Sequence, residues 1–478
     1  MRARGGADKA ERGATEPAAV DLLVAGGIVV TMDPARRVLP DGAVAVRDGR
    51  IVEVGPTVEL RSRYRPRRTV DARHFVTLPG LVDAHVHVSV EHLARSLPPD
   101  DAGRRWMLDW AAPFYAAVTP DEERLAALLA CHELIRNGTT TFGEGNTIRD
   151  MAAVVDAVHE AGLRAILGVW TWDRPSEPAP LRQTADQALA RTADAIARWN
   201  GAAGGRIGVA ASCVHPVLCS PELLKGLRAL ASDQRVGLAY HHASSREPVD
   251  EYVAAHGRRP LLDFADLGIL GPDVRTVHMV HLDQAELDVL VQSGASVAHC
   301  PQTGLRLAYG ITAVGRFPEM LARGVRVGVG TDGVMCADSL DLFRAIRLAA
   351  GLFKDARQDP TLVPAWTALE LGTIGAARAL GLDHEVGSLE AGKAADLVLL
   401  DRRTPELSPL VNVPNALVYG VDGRTVDTVI AGGRVLMEGR RVVTVDAEPL
   451  YAEAARAAPR LIERAGLRPA PGTRPPAR

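Results

Sequence analysis

Lysine is nearly missing from this chain: of 478 residues only Lys9, Lys225, Lys354 and Lys393 are lysine, and arginine carries almost all of the positive charge. Cysteine is scarce too. Cys131, Cys213, Cys219, Cys300 and Cys336 are odd in number and widely scattered, which argues against a disulfide framework and for a reducing cytoplasm. Neither sign of charge dominates, since Lys+Arg 55 against Asp+Glu 58 leaves −3. That balance offers no electrostatic footprint for nucleic acid or an anionic membrane surface. No stretch approaches the roughly 18 consecutive apolar residues of a membrane helix. The opening MRARGGADKAERGATEPAAV has no apolar core of a secretion signal, so residues 1–18 read as a disordered tail.

What is present is an ordinary globular composition, 47% hydrophobic and 24% charged. The length is too great for one small module; it suits two to four domains of roughly 100–200 residues, or an α/β barrel of about 250 with additions. The middle of the chain repeats one cadence: an amphipathic run, a glycine, then a short β-branched run. Thr119-Pro120-Asp121-Glu122 has the pattern of a helix start with a capping box, and Gly138 stops that helix before TTTF.

Eight β-like runs follow this grammar: LVDAHVH near 81, TTTF near 139, LRAILGVW near 163, RIGVAAS near 206, RVGLAYH near 235, VRTVHMV near 274, ASVAHC near 295 and VRVGVGT near 325. Separated mostly by helical stretches, they predict an α/β fold with a closed (β/α)8 barrel over 78–384. The longest insertion, between the first two runs, carries Trp106, Trp110, Phe114 and Tyr115. It would overhang the barrel mouth, where its aromatics either close over a ligand or pack an extra helix. The two chain ends read as short strands with Gly-Gly and Asp-Gly turns, and 19–77 with 385–445 are expected to form one composite β-sandwich. Residues 446–478 read as a C-terminal helix and tail.

Of the fourteen histidines, the informative ones stand at the carboxyl ends of barrel strands, the face where barrel enzymes carry their chemistry. His85 and His87 lie two apart on a strand, so both rings face the same side. His241 ends the fifth strand, His278 lies near the end of the sixth, and Asp332 follows Gly-Thr at the end of the eighth. Imidazoles and a carboxylate converging on one point make an N/O site for zinc or another first-row divalent ion.

PGLVDAHVH, the histidines of the fifth and sixth strands, AHCP, GTDG, NGTTTF, CSPELL and LEAGKAADLVLLD together resemble the amidohydrolase superfamily. The likeness is strongest to its branch of cytosine, guanine and S-adenosylhomocysteine deaminases and triazine hydrolases, and it covers nearly the whole chain. Carried over by position, it implies that His85, His87, His241 and Asp332 bind one metal, with His278 facing the water or the substrate. His242 adjoins His241 and is the alternative ligand; the ungapped pattern through REPVDEY favours His241. Members with two metals bridge them with a carboxylated lysine on a strand, and no lysine lies on a strand here. One divalent ion is therefore expected, zinc first, with iron, manganese or cobalt as alternatives. Dimers are frequent among relatives, so a homodimer is compatible with the chain although nothing in it requires one.

Three departures concern substrate handling. The proton-shuttling glutamate of the deaminases, three after the strand-5 histidine, is Ser244, which has no useful acid–base pKa near neutrality. The usual substrate-binding histidine of the strand-4 loop is Val214, with His215 one place late, and the Ser-Asn pair after AHCP reads Thr303-Gly304. Asp332 remains as proton carrier and His278 as the group that polarises a carbonyl. Trp106, Glu144, Ser244 and Thr303 are the expected substrate-binding residues; Glu144 is either a replacement shuttle or the anchor of a loop. The resemblance and its departures together imply metal-dependent hydrolysis of a carbon–nitrogen bond in a small amide, carbamate, urea or lactam. The alternatives are a deaminase or dechlorinating hydrolase of an unusual N-heterocycle, and a non-catalytic barrel scaffold.

Overall fold

A computed structural model describes residues 17–102, 106–175 and 177–468. The disordered tail expected over the first residues and the end of the C-terminal tail lie outside the described residues, save that Ala18 already opens a strand. The first chain end supplies β1 (Ala18–Val30), β2 (Val38–Arg47), β3 (Arg50–Pro56), β4 (Tyr64–Asp71) and β5 (Phe75–Pro79). The middle supplies β6 (Leu81–Val86), β7 (Thr139–Glu144), β8 (Arg164–Leu167), β9 (Ile207–Val209), β10 (Ala211–Cys213), β11 (Leu238–His242), β12 (Val274–His278), β13 (Ser296–His299) and β14 (Val327–Val329). The far end adds β15 (Leu397–Asp401), β16 (Val426–Ala431), β17 (Arg434–Glu438) and β18 (Arg441–Val442), followed by a helix over Ala447–Arg464.

The two ends meet in one nine-stranded mixed sheet of order β18-β17-β16-β15-β5-β1-β2-β3, with β4 beside β1. The join is the antiparallel ladder of β5 with β15, where Pro79 pairs with Leu397 and Thr77 with Leu399. Hydrogen bonding therefore makes one continuous sheet where a sandwich of two layers was expected, because strands of the two ends meet edge to edge. Alternation along β1 buries both faces: Leu22 and Val24 pack with Val44 and Leu397, while Leu23 and Ala25 pack with Ala43 and Leu60.

The eight runs of the middle pair in parallel, as one four-stranded sheet β6-β7-β8-β9 and one five-stranded sheet β10-β11-β12-β13-β14. Only Ala210 separates β9 from β10, and its N–H donates to Leu167 O at 2.9 Å. On the other side, Asp332 N donates to His85 O at 2.9 Å. The chains approach so closely here that a Cβ on Gly330 would stand 2.7 Å from the same carbonyl oxygen, which is why glycine precedes Thr-Asp.

Helices between the strands are capped as their sequences dictate. Thr119 and Glu122 form the reciprocal capping box of the helix Pro120–Arg136, and Asp283 with Glu286 does the same for Gln284–Ser293. Each such cap is worth about 1 kcal/mol. Among the described residues no helix is long and apolar enough to cross a membrane.

Candidate metal centre

Strand geometry brings three imidazoles to one point. The period of two in β6 aims His85 and His87 together, and their Nε2 atoms lie 3.2 Å apart. His241, at the end of β11, places its Nε2 at 3.2 Å from that of His85 and 3.4 Å from that of His87. Its neighbour His242 faces away, edge-on to Phe264 with ring centroids 5.3 Å apart, so the structure brings His241 into the cluster and leaves His242 out.

Asp332 closes the group with Oδ1 at 3.1 Å from His87 Nε2 and 3.4 Å from His85 Nε2. His278 pairs in register with His242, whose ring turns outward, so regular alternation would send it outward too. Positive φ at His278 (72°) and Met279 (53°) breaks the alternation, and the ring turns in beside His241 with centroids 5.6 Å apart. Asp332 has φ 63° as well. Such conformations cost of order 1–3 kcal/mol each in non-glycine residues and gather at functional sites.

The cluster fits a divalent cation. His241 Nδ1 donates to Val214 O at 2.7 Å, which leaves Nε2 a bare lone pair directed at the other two rings. Zinc–nitrogen bonds of about 2.0–2.1 Å in a tetrahedron imply donor–donor edges of about 3.3 Å, matching the observed triangle. The charges agree. Burial drives His85 down to about 3, and it also lowers His241 and His278. Burial works against a charge on His87, yet Glu91 and Asp332 outweigh it and lift the ring to about 9. Burial opposes the charge of Asp332 as well, but its bonds to His85 and His87 hold it well below the usual carboxylate range. Positive charge is thus favoured at the spot where these donors meet.

A second ring of groups fixes the first. Asp83 Oδ1 accepts from His85 N at 3.0 Å and Thr331 N at 3.2 Å, pinning the end of β6 to the segment after β14. Burial pushes its pKa up to about 7. His87 Nδ1 meets Thr147 Oγ1 at 3.0 Å, and Glu91 Oε1 lies 3.7 Å from the same nitrogen. Tyr115 Oη donates within reach of both Glu91 Oε1 (3.1 Å) and Thr147 Oγ1 (3.2 Å).

The cluster forms the floor of a cavity of about 750 Å³, lined by His87, His241, His278 and Asp332 below and by Trp106, Met107, Leu108, Tyr252 and Tyr309 toward the mouth. Of the expected substrate residues, Trp106 and Ser244 line it. Trp106 Nε1 donates to Tyr309 Oη at 3.3 Å, and Ser244 bonds the same hydroxyl.

The other two expected substrate residues, Glu144 and Thr303, are not among the residues that line the cavity, and Glu144 takes the loop-anchoring place of its two expected roles. Glu144 is fully buried; Asn146 N (2.7 Å) and Thr147 N (3.2 Å) occupy its Oε2, and Thr147 Oγ1 donates to Oε1 at 3.0 Å. The chain curls at Asn146 (φ 65°) and captures the carboxylate before it can face the mouth. Thr303 is buried in the first turn of a short helix with its hydroxyl on Cys336 Sγ at 3.4 Å. Sequence reasoning missed Asp83, Glu91, Thr147 and Tyr309, and named Tyr115 only as one of the insertion's aromatics. Asp83 lay within the PGLVDAHVH motif itself, whereas the others come from short helical turns and loops between the strands, which no local pattern announces.

Comparison with known proteins agrees with this geometry. The Amidohydrolase family description matches residues 76–436, and residues 42–65 match an imidazolonepropionase-like composite domain of bacteria. The chain is 37% identical over 428 residues to a 5-methylthioadenosine/S-adenosylhomocysteine deaminase of Syntrophobacter fumaroxidans, covering 90% of this chain and 95% of the relative. A protein of the same description from Desulforudis audaxviator is 39% identical over 427 residues, covering 88% and 95%. Among solved structures, a zinc-bound adenosine deaminase of Xanthomonas campestris is similar with TM-score 0.88 and 32% identity, covering 94% of this chain and all of that one (100%). An atrazine chlorohydrolase of Arthrobacter aurescens complexed with zinc shares the fold with TM-score 0.82 at 24% identity, covering 92% and 100%. With its strand-end histidines and Asp332 in place, the chain belongs to the amidohydrolase family, as a metal-dependent hydrolase of carbon–nitrogen bonds.

Proposed function

We propose that His85, His87, His241 and Asp332 hold a single zinc ion and that the enzyme hydrolyses an amide, carbamate, urea or lactam bond of a small molecule. The observation that carries the reading is the triangle of Nε2 atoms at 3.2–3.4 Å with Asp332 Oδ1 beside it, on the floor of a cavity. When bound, such an ion supplies Lewis acidity that brings the pKa of water toward 7. Asp332, held ionised, accepts the proton released there and returns it to the leaving nitrogen. Buried His278, 3.9 Å from Asp332 Oδ2, holds an uncharged ring toward the scissile carbonyl and donates to the oxygen as it gains charge. Trp106 and Tyr309 bound the mouth and exclude water.

Ser244 decides between substrate classes. Deamination of an aromatic ring needs a proton placed on a ring nitrogen, which a serine hydroxyl cannot supply; an amide or urea needs only its leaving nitrogen protonated, which Asp332 does alone. A second reading, deamination or dechlorination of an N-heterocycle, is supported by the buried Glu91 carboxylate on the cavity wall and by the names of the deaminase relatives. Ammonia release from aminated heterocycles, measured beside hydrolysis of an amide, urea and lactam panel by zinc-loaded enzyme, separates the two. Turnover confined to the heterocycles would overturn the first reading.

Around this site we read β6 to β14 as one closed eight-stranded barrel over 78–384, with β9 and β10 as a single strand bent at Ala210 and β14 meeting β6 through the Asp332–His85 bond. The composite β-domain then comprises 19–77 and 385–445. Five buried free thiols support a cytoplasmic setting.

A further inference from the structure

The three imidazoles of the cluster are steadied in three different ways. His241 Nδ1 donates to a main-chain carbonyl, Val214 O, at 2.7 Å. His85 Nδ1 is buried without a hydrogen-bond partner, so packing and strand geometry set its angle. Only His87 leans on a side chain, with Nδ1 at 3.0 Å from Thr147 Oγ1. We propose that Thr147 is the positioning residue that sets the protein's affinity for its metal, through a relay running from His87 by way of the Thr147 hydroxyl to Glu144.

The direction of each bond follows from counting hydrogens. A threonine hydroxyl has one proton and two lone pairs, and a carboxylate only accepts. Glu144 Oε2 is already occupied by the N–H groups of Asn146 and Thr147, while Oε1 lies 3.0 Å from Thr147 Oγ1 and takes its proton. Thr147 Oγ1 must then accept from His87, which places the ring proton on Nδ1 and leaves Nε2 free toward the cluster. Tyr115 supports this assignment: its single proton serves Glu91 Oε1 at 3.1 Å or Thr147 Oγ1 at 3.2 Å, and in neither case does Thr147 become the donor to His87.

The loop is shaped for the task. The turn at Asn146 (φ 65°) carries Thr147 back over the strand end, and a Cβ on Gly145 would stand 2.3 Å from His87 Nδ1, so a side chain there would push the ring away. Without the hydroxyl, Glu91 Oε1 stands 3.7 Å from His87 Nδ1, beyond hydrogen-bond distance, and reaching it would rotate Nε2 off the common centre.

This inference rests on the metal reading above, and the test keeps the two apart. Zinc is stripped from the full-length protein and returned in competition with a chromophoric chelator, for wild type, Thr147→Val and Thr147→Ser. Loss of a partner of this kind typically costs 10–100-fold in metal affinity, so Thr147→Val is expected to bind zinc about 10–100-fold more weakly. Thr147→Ser, which keeps the hydroxyl, is expected to recover wild-type affinity. Thermal unfolding of the metal-free proteins supplies the control: Thr147→Val also strips buried Glu144 Oε1 of its donor, so its midpoint is expected to fall, and zinc affinity is read well below that midpoint, where all three proteins are folded. Wild-type affinity in Thr147→Val overturns the relay, as does a Thr147→Ser that binds zinc no better than Thr147→Val. A wild type that takes up no zinc overturns the relay and the metal site together.

Discussion

The floor of the cavity and its mouth are built on different plans. On the floor nearly every donor is held twice: His241 by its strand and by Val214 O, His87 by its strand and by Thr147, and Asp332 by its backbone bond to His85 and by Gly333 N at 2.9 Å on Oδ1. At the mouth the contacts are fewer: Trp106 Nε1, at 3.3 Å, and Ser244 meet on Tyr309 Oη, and Leu108 and Val314 stay 39% and 40% exposed. The floor is preorganised for one chemistry, and the mouth is a surface on which loop residues can change without disturbing it. Metal-dependent hydrolysis of a carbon–nitrogen bond, the chemistry of the family, belongs to the floor.

The sharpest way to break this contrast is at its centre. Asp332→Asn keeps the shape but removes the proton carrier, and kcat should fall by about 10²–10⁴-fold with the circular dichroism spectrum unchanged. A variant that kept wild-type turnover would show that the floor does not carry the proton. Next in size, His241→Ala should leave the protein without stoichiometric zinc after desalting, as read by elemental analysis. Its affinity should fall further than the 10–100-fold an outer-shell loss costs. Full metal occupancy in that variant would mean that the triangle is not the site.

The same contrast governed what the sequence disclosed. His-X-His on a strand and Asp332 after a strand end were legible because a period of two and a strand terminus are local facts. The inward turn of His278 was not, since it depends on positive φ at two non-glycine residues, and the plain alternation would have sent it outward. Glu144 was legible as a strand-end acid and misplaced as a cavity residue, because the curl at Asn146 is written in no motif. Thr147 escaped notice for a further reason: its meaning comes from His87, which a different strand delivers. In the fold, the eight runs and the meeting of the two ends were readable from turns and alternation. The edge-to-edge join of β5 and β15 was not, because pairing partners far apart in the chain are chosen by tertiary contacts.

At the mouth smaller effects are expected. Trp106→Phe keeps the aromatic wall and removes one of the two partners of the Tyr309 hydroxyl, leaving Ser244 in place. A neutral hydrogen bond is worth about 0.5–1.5 kcal/mol, so KM should rise by about 2–10-fold with kcat nearly constant. A fall in kcat of the same size, with KM fixed, would place Trp106 in the chemistry instead of at the rim and erase the distinction between the two zones.

The least expected effect sharpens the comparison from outside the cavity. His299 also ends a parallel strand, β13, but it stacks on Phe317 with centroids 4.2 Å apart, and its Nε2 is buried without a partner. Burial holds its pKa down to about 3. Like His85, His241 and His278 it is held neutral chiefly by burial, but among the described residues no carboxylate faces it. Its folded pKa lies below the unfolded value of 6.5, so the unfolded chain takes up the proton first. The stability it contributes is complete above pH 6.5 and is lost as pH falls from 6.5 toward 3, by up to about 1.4 kcal/mol per pH unit. Asp83 and Glu123, both raised to about 7, act with the opposite sign over the same range, so the wild-type curve alone cannot isolate this ring. Subtracting the curve of His299→Phe, which preserves the stack, does isolate it. Between pH 7.5 and 5 the variant should lose less unfolding free energy in urea than the wild type, and equal losses would show that the proton goes elsewhere.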